Sequence, residues 1–197
     1  MKSRIEQLQE FLEEDGNDSF LKYALALEYV RIDEKDAAKD CFLQLVAEDE
    51  NYLASYYQLG KLYESVNDLE DAIEIYKKGI KSDSDNYGLL KNTILLQIDI
   101  KKYEAAIALS TFGLEMFPAQ PLLYLVNGVA NNELKNADQA IEILEIGLDY
   151  LFDDPKMECD FYQQLTIAYT LKGNTKKAKL YHKKALDLSI TKQKKDN

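Results

Sequence analysis

The 197-residue chain is 46% hydrophobic and 30% charged, with three prolines and eight glycines, which excludes an extended disordered segment and fits one ordered domain or a short repeat array. No stretch approaches the roughly 18 consecutive apolar residues of a membrane-spanning helix, and Met-Lys-Ser-Arg-Ile-Glu-Gln at the start lacks the apolar run of a signal peptide. The net charge of −11 and two arginines, Arg4 and Arg31, exclude a generally basic nucleic-acid binder. That charge is unevenly spread: residues 1–52 carry 6 basic and 14 acidic side chains, residues 159–197 carry 9 and 3. Solvated faces account for this, and so would orientation of a partner or a second copy head to tail. Cys41 and Cys159 form no C-x-x-C pair, so both read as thiols in a reducing compartment, and the cytoplasm is the expected location.

In chain order, Ile5 to Leu12 has helix spacing and is stopped by Gly16-Asn17-Asp18. Leu25-Ala26-Leu27-Glu28-Tyr29 follows, with Ala38 nine residues after the tyrosine and Phe42 four later. The same pattern returns 34 residues on as Leu59-Gly60-Lys61-Leu62-Tyr63, Ala72 and Tyr76. Further steps of 34 land on Ala106, then on Gly128 and Ala140. A last copy, Leu165-Thr166-Ile167-Ala168-Tyr169 with Ala178 and Ala185, comes after an interval of 38, and the excess around Asp153 to Lys156 extends a helix end or a loop. Each copy holds two amphipathic runs of about 13 residues, parted by turns such as Ser65 to Asp68 or Leu171 to Asn174. One such hairpin cannot cover its own apolar face, so neighbours stack and bury a continuous core.

This pattern resembles the tetratricopeptide repeat, most closely in Tyr56, Leu59, Gly60, Tyr63, Ala72, Tyr76 and Gly79. The resemblance implies an all-α fold, an α-solenoid wound as a right-handed superhelix of stacked antiparallel helical hairpins. Five repeats are expected at 19–52, 53–86, 87–120, 121–154 and 159–192. Residues 1–18 would form a capping half-repeat and 193–197 a disordered tail. Starting in mid-repeat fits a small whole domain, a fragment of a longer array, or an engineered or spliced one.

The resemblance also implies a function without catalysis, cofactor or metal: capture of a protein or peptide in the concave groove lined by the first helix of each repeat. Mapped onto this chain, the groove would carry Tyr23, Leu27, Tyr57, Lys61, Lys91, Asn92, Leu95, Ile98, Leu125 and Val129. The apolar members would supply contact area, and Lys61, Lys91 and Asn92 orientation. Relatives that clamp a C-terminal carboxylate use lysine and asparagine where Tyr23 and Leu27 stand here and asparagine where Gln58 stands, so that clamp is not expected. The rival reading is a self-associating scaffold that pairs through the groove or the oppositely charged ends. Neither nucleic acid nor membrane is an expected partner.

Other constellations resolve into structure. His182 aligns with Phe42 and Tyr76 and reads as a packing residue, since one histidine without neighbouring ligands cannot hold zinc. Asp83-Ser84-Asp85-Asn86 opens like a calcium loop but places Tyr87 and Ile94 where oxygen donors belong, which leaves a turn. Lys176, Lys177, Lys179, Lys183 and Lys184 form a solvated helix face. Asn127 and Asn131, four apart, occupy positions held by Leu59 and Tyr63 one pair of repeats earlier. In this register they lie inside a hairpin and need hydrogen-bond partners.

Overall fold

A computed structural model describes the backbone of residues 2–195 and the side chains through residue 189. Its elements are all α-helices: α1 (Arg4–Glu14), α2 (Ser19–Arg31), α3 (Lys35–Glu48), α4 (Leu53–Ser65), α5 (Leu69–Ser82), α6 (Tyr87–Asp99), α7 (Tyr103–Met116), α8 (Pro121–Glu133), α9 (Ala137–Leu148), α10 (Pro155–Leu171) and α11 (Thr175–Lys195). Two compact units result, Met1–Thr93 and Ile94–Asn197, with the division inside α6.

The 34-residue period is written in the backbone. Asp33, Asn67, Lys101 and Lys135 have φ of 61°, 61°, 61° and 64°, and Gly173, four residues beyond the next step, has 77°. Each ends a first helix in the left-handed conformation. The next amide then reaches back to close the turn: Glu34 to the Tyr29 carbonyl (2.9 Å), Asp68 to Tyr63 (2.9 Å), Lys102 to Gln97 (2.7 Å), Asn136 to Asn131 (2.8 Å) and Asn174 to Tyr169 (2.9 Å). This six-residue return bond satisfies carbonyls that a helix end would otherwise orphan and reverses the chain into an antiparallel partner.

In the first unit, α1 packs on α2, and the pairs α2/α3 and α4/α5 pack within themselves and on each other through α3 and α4. Ala26, Ala38 and Ala72 are wholly buried, so the paired backbones come close. Gly60 goes further, because a Cβ there would lie 2.1 Å from Cε1 of Tyr76, whose ring fills the notch. The second unit repeats the device with Leu144 over Gly128 and with Ala106 and Ala140 wholly buried. Phe161, Leu165, Ala168 and Tyr169 of α10 join Tyr124, Leu125, Ile141 and Leu144 in one core.

The four-residue excess lengthens a helix: α10 has 17 residues, whereas α2, α4, α6 and α8 have 13. Asp154 caps it by accepting from the Met157 amide (2.9 Å), and Pro155 sits in the first turn, where no amide hydrogen is needed. α1 opens on a capping box, with Ser3 and Glu6 satisfying each other's amides.

Two expectations are corrected. Residues 193–195 of the expected tail continue α11, because Gln193, Lys194 and Lys195 favour helix and no proline or glycine interrupts them; 196–197 lie outside the described residues. His182, expected to pack, is exposed. Its counterpart on α10 is Thr166, which offers no notch like that over Gly60, and Tyr181 instead stacks on Tyr169 (5.6 Å, 6°).

Candidate functional site

The first unit holds six of the ten groove residues. α2 supplies Tyr23 and Leu27, both half-buried, and Tyr23 leans on the rings of Phe42 (5.9 Å) and Tyr52 (5.2 Å). α4 presents Tyr57, 40% exposed, with the Lys61 ammonium 6.0 Å from its ring centre. Helical spacing of four places these two on one side of α4. Lys61 also pairs with Glu64 (3.0 Å), and Glu64 accepts from the Tyr76 hydroxyl (2.5 Å). Burial, reinforced by this carboxylate, pushes the Tyr76 hydroxyl far up, so it stays a donor at any ordinary pH.

Asn92, from the part of α6 in the first unit, turns its amide toward that hydroxyl and works against the upward shift, but the contact falls short of good hydrogen-bond geometry, so the buried Nδ2 has no well-formed partner among the described residues. Lys91 is half-buried. The structure thus gathers Tyr57, Lys61 and Asn92 around Tyr76 and Glu64. Tyr23 and Leu27 belong to the neighbouring aromatic cluster. A cavity of about 180 Å³ bounded by Val30, Gln58, Lys61 and Leu62 opens beside Lys61. Glu64 falls on the same face as Tyr57 and Lys61 by sequence spacing, but its hydrogen bond was not legible, because it depends on the ring of Tyr76 reaching it from α5.

In the second unit, Leu95 is 38% exposed, and Ile98 and Val129 are half-buried. Leu125 is 9% exposed and sits in the core with Phe161 and Leu165, so it offers almost no area to a ligand. The apolar strip is thinned there because α10 covers α8. On α8, Asn132 donates to the backbone and side-chain oxygens of Gln164 (both 3.0 Å), and its Oδ1 is buried without a partner among the described residues.

The two asparagines expected inside a hairpin are there. Asn127 and Asn131 are 4% and 5% exposed. Asn127 Nδ2 donates to Ser110 Oγ (2.9 Å) and Thr111 Oγ1 (3.2 Å), while its Oδ1 accepts from Asn131 Nδ2 (2.7 Å). Asn131 Oδ1 in turn accepts from Asn136 Nδ2 (3.3 Å). Every link is satisfied, which marks this as a structural network.

A second polar group joins α9, α10 and α11. Glu145 accepts from the hydroxyls of Tyr169 (2.6 Å) and Tyr181 (3.2 Å), and Lys177 donates to Tyr169 (2.6 Å). Burial works against the Glu145 carboxylate, but the Tyr169 hydrogen bond and the Lys177 charge outweigh it and hold its pKa down. Lys184 lies over both Tyr162 (4.9 Å) and Tyr181 (5.3 Å). Two of the lysines read as a solvated face are therefore anchored on aromatic rings.

Among the described residues no cluster of histidine, cysteine, aspartate or glutamate could hold a metal ion, and no helix is long and apolar enough to cross a membrane. What the geometry offers is surface: exposed aromatic and aliphatic area near a poorly hydrogen-bonded amide donor.

Residues 53–86 match the tetratricopeptide repeat family model. Two curated relatives match part of the chain. An auxiliary subunit of the N-terminal acetyltransferase A complex from Arabidopsis thaliana is 28% identical over 99 residues, 50% of this chain and 11% of that protein. The human N-alpha-acetyltransferase 16, NatA auxiliary subunit, is 29% identical over 90 residues, 46% of this chain and 10% of that protein. The matched stretch is thus about a tenth of each relative's length.

Among solved structures, MamA is similar with a TM-score of 0.76 at 23% identity, covering 91% of this chain and 96% of that one. YrrB, described as a TPR protein with an unusual peptide-binding site, reaches 0.74 at 16% identity, covering 92% and 91%. Identities this low establish the fold, an α-solenoid of helical hairpins. Residues 53–86 therefore form a tetratricopeptide repeat, and the chain around them has the fold of these repeat structures.

Proposed function

We propose that this protein is an interaction module without catalytic activity of its own, and that the Tyr57–Lys61–Asn92 face of its first unit grips a peptide or helix of a cytoplasmic protein. The observation that carries this reading is the exposed Tyr57 ring, which shares Tyr76 as a neighbour with the buried and poorly hydrogen-bonded Nδ2 of Asn92. A buried amide donor without a good partner costs up to about 1–3 kcal/mol, and a turn of the Asn92 side chain toward the groove would bring it to a main-chain carbonyl of an incoming segment and relieve that cost. Tyr57 and the cavity beside Lys61 would take apolar side chains from the same segment, in the manner of helix-in-groove recognition. YrrB as a peptide-binding repeat protein, and the auxiliary-subunit relatives, support an interaction role.

The test uses the purified chain as bait. Tyr57→Asp and Asn92→Ala should each reduce the amount of the dominant captured protein, with unchanged far-UV circular dichroism. Equal capture by wild type and both variants would show that this face is not the binding surface.

A further inference from the structure

Phe152 is 93% exposed, far beyond any other large hydrophobic residue described. It stands at the tip of the connection from α9 to α10, between Tyr150, which is stacked on Tyr124 (5.1 Å, 16°), and Asp154, which caps α10. Both flanks are therefore fixed, and the ring is held out into solvent. Asp149, Asp153 and Asp154 around it are exposed, so the tip is an aromatic ring in an acidic collar. A tip of this kind fits an apolar cavity with a basic rim.

The same unit contains one. In the second and fourth hairpins, Tyr76 and Leu144 fill the notches over Gly60 and Gly128. In the last hairpin the corresponding residue, His182, is exposed instead, and a cavity of about 270 Å³ remains between α10 and α11. It is lined by Thr166, Thr170, Thr175, Ala178, Lys179 and His182. The Thr166 and Thr170 hydroxyls donate to the Tyr162 and Thr166 carbonyls (2.8 and 2.7 Å), so they satisfy themselves and leave their methyl groups to line the space. Lys176, Lys179 and Lys183 are exposed on the same helix.

We infer that this cavity is the seat for Phe152 of a second copy of the chain, with the aspartate collar of one copy facing the lysines of α11 on the next. The ring would fill the cavity that His182 leaves open beside Thr166 and Thr170, and opposite charges would set its approach. Tip and seat are different surfaces, so the contact is heterologous and propagates from copy to copy. This inference does not depend on the face formed by Tyr57, Lys61 and Asn92.

Sedimentation velocity and light scattering on the full chain, from micromolar to about 0.5 mM, test it. Wild type should gain mass with concentration, and added salt should weaken the gain by screening the collar. Phe152→Ser, at a site too exposed to affect folding, should weaken association at least about thirtyfold, the worth of burying one large apolar side chain. His182→Tyr, which fills the seat from within, should do the same. An equimolar mixture of the two variants should form a dimer and nothing larger, because one retains the seat and the other the tip. A wild type that stays monomeric throughout, or either variant associating as wild type does, would overturn the inference.

Discussion

Asn127 and Asn131 show how much a single residue type can mean once its neighbours are known. Both stand where the second hairpin has Leu59 and Tyr63, and both are tied into the chain of amides and hydroxyls running from Ser110 to Asn136. Removing one member of such a chain leaves buried donors or acceptors unpaired, which costs more than the lost bond itself, whereas removing a pair together costs little. Asn127→Leu should therefore lower stability by about 1–3 kcal/mol. Asn127→Leu with Asn131→Leu should lower it by less than the sum of the two single changes. Urea unfolding of the four proteins measures the coupling, and strict additivity would mean that the network carries no joint energy. The positions were legible from register alone, and so was their need for partners. The partners were not, because Ser110 and Thr111 lie on a different helix whose rotation the sequence does not state. Leu125 failed for the same reason: its helical face was correctly apolar, but which neighbour covers it depends on where α10 lies.

At the scale of the element, the turns carry the repeat more faithfully than the helices do. Asp33, Asn67 and Gly173 are residue types that accept positive φ, so these turns were legible. Lys101 and Lys135 are not such types, and only the 34-residue step marks them. Their conformation is imposed by the return bonds to Gln97 and Asn131, which hold each lysine in a region that disfavours a Cβ. Lys135→Gly should accordingly stabilise the protein by about 0.5–1 kcal/mol, the relief of left-handed strain less the extra entropy that glycine loses on folding. Gly173→Lys should do the reverse, although open space surrounds Gly173, because the obstacle is backbone conformation and not crowding. Thermal or urea denaturation decides both, and a destabilised Lys135→Gly variant would mean that the lysine side chain does more than occupy the turn.

For the molecule as a whole, the repeated tyrosines tie stability to alkaline pH. Burial, helped by the Glu158 carboxylate beside Tyr162 and the Glu145 carboxylate beside Tyr181, pushes both hydroxyls up to about 12. Burial and the neighbouring Tyr150 push Tyr124 to about 12. A free tyrosine titrates near 10, so between about pH 10 and 12 the folded chain holds protons that the unfolded chain has released. Their contribution is complete below pH about 10 and is lost as the pH rises through about 12. Glu145 acts in the opposite direction, its pKa lying below the usual carboxylate range. It contributes above that range and stops contributing as the pH falls through its folded value. Melting temperature followed by circular dichroism should therefore hold a plateau at neutral pH, then fall steeply above pH about 10 and more gently in acid. Tyr181→Phe removes one raised hydroxyl and one donor to Glu145 together, so it should flatten the alkaline fall and shift the acid limb to higher pH. An alkaline limb unchanged by that substitution would mean that Tyr181 titrates alike in the folded and unfolded chain, and that the cluster on α9, α10 and α11 does not hold its proton.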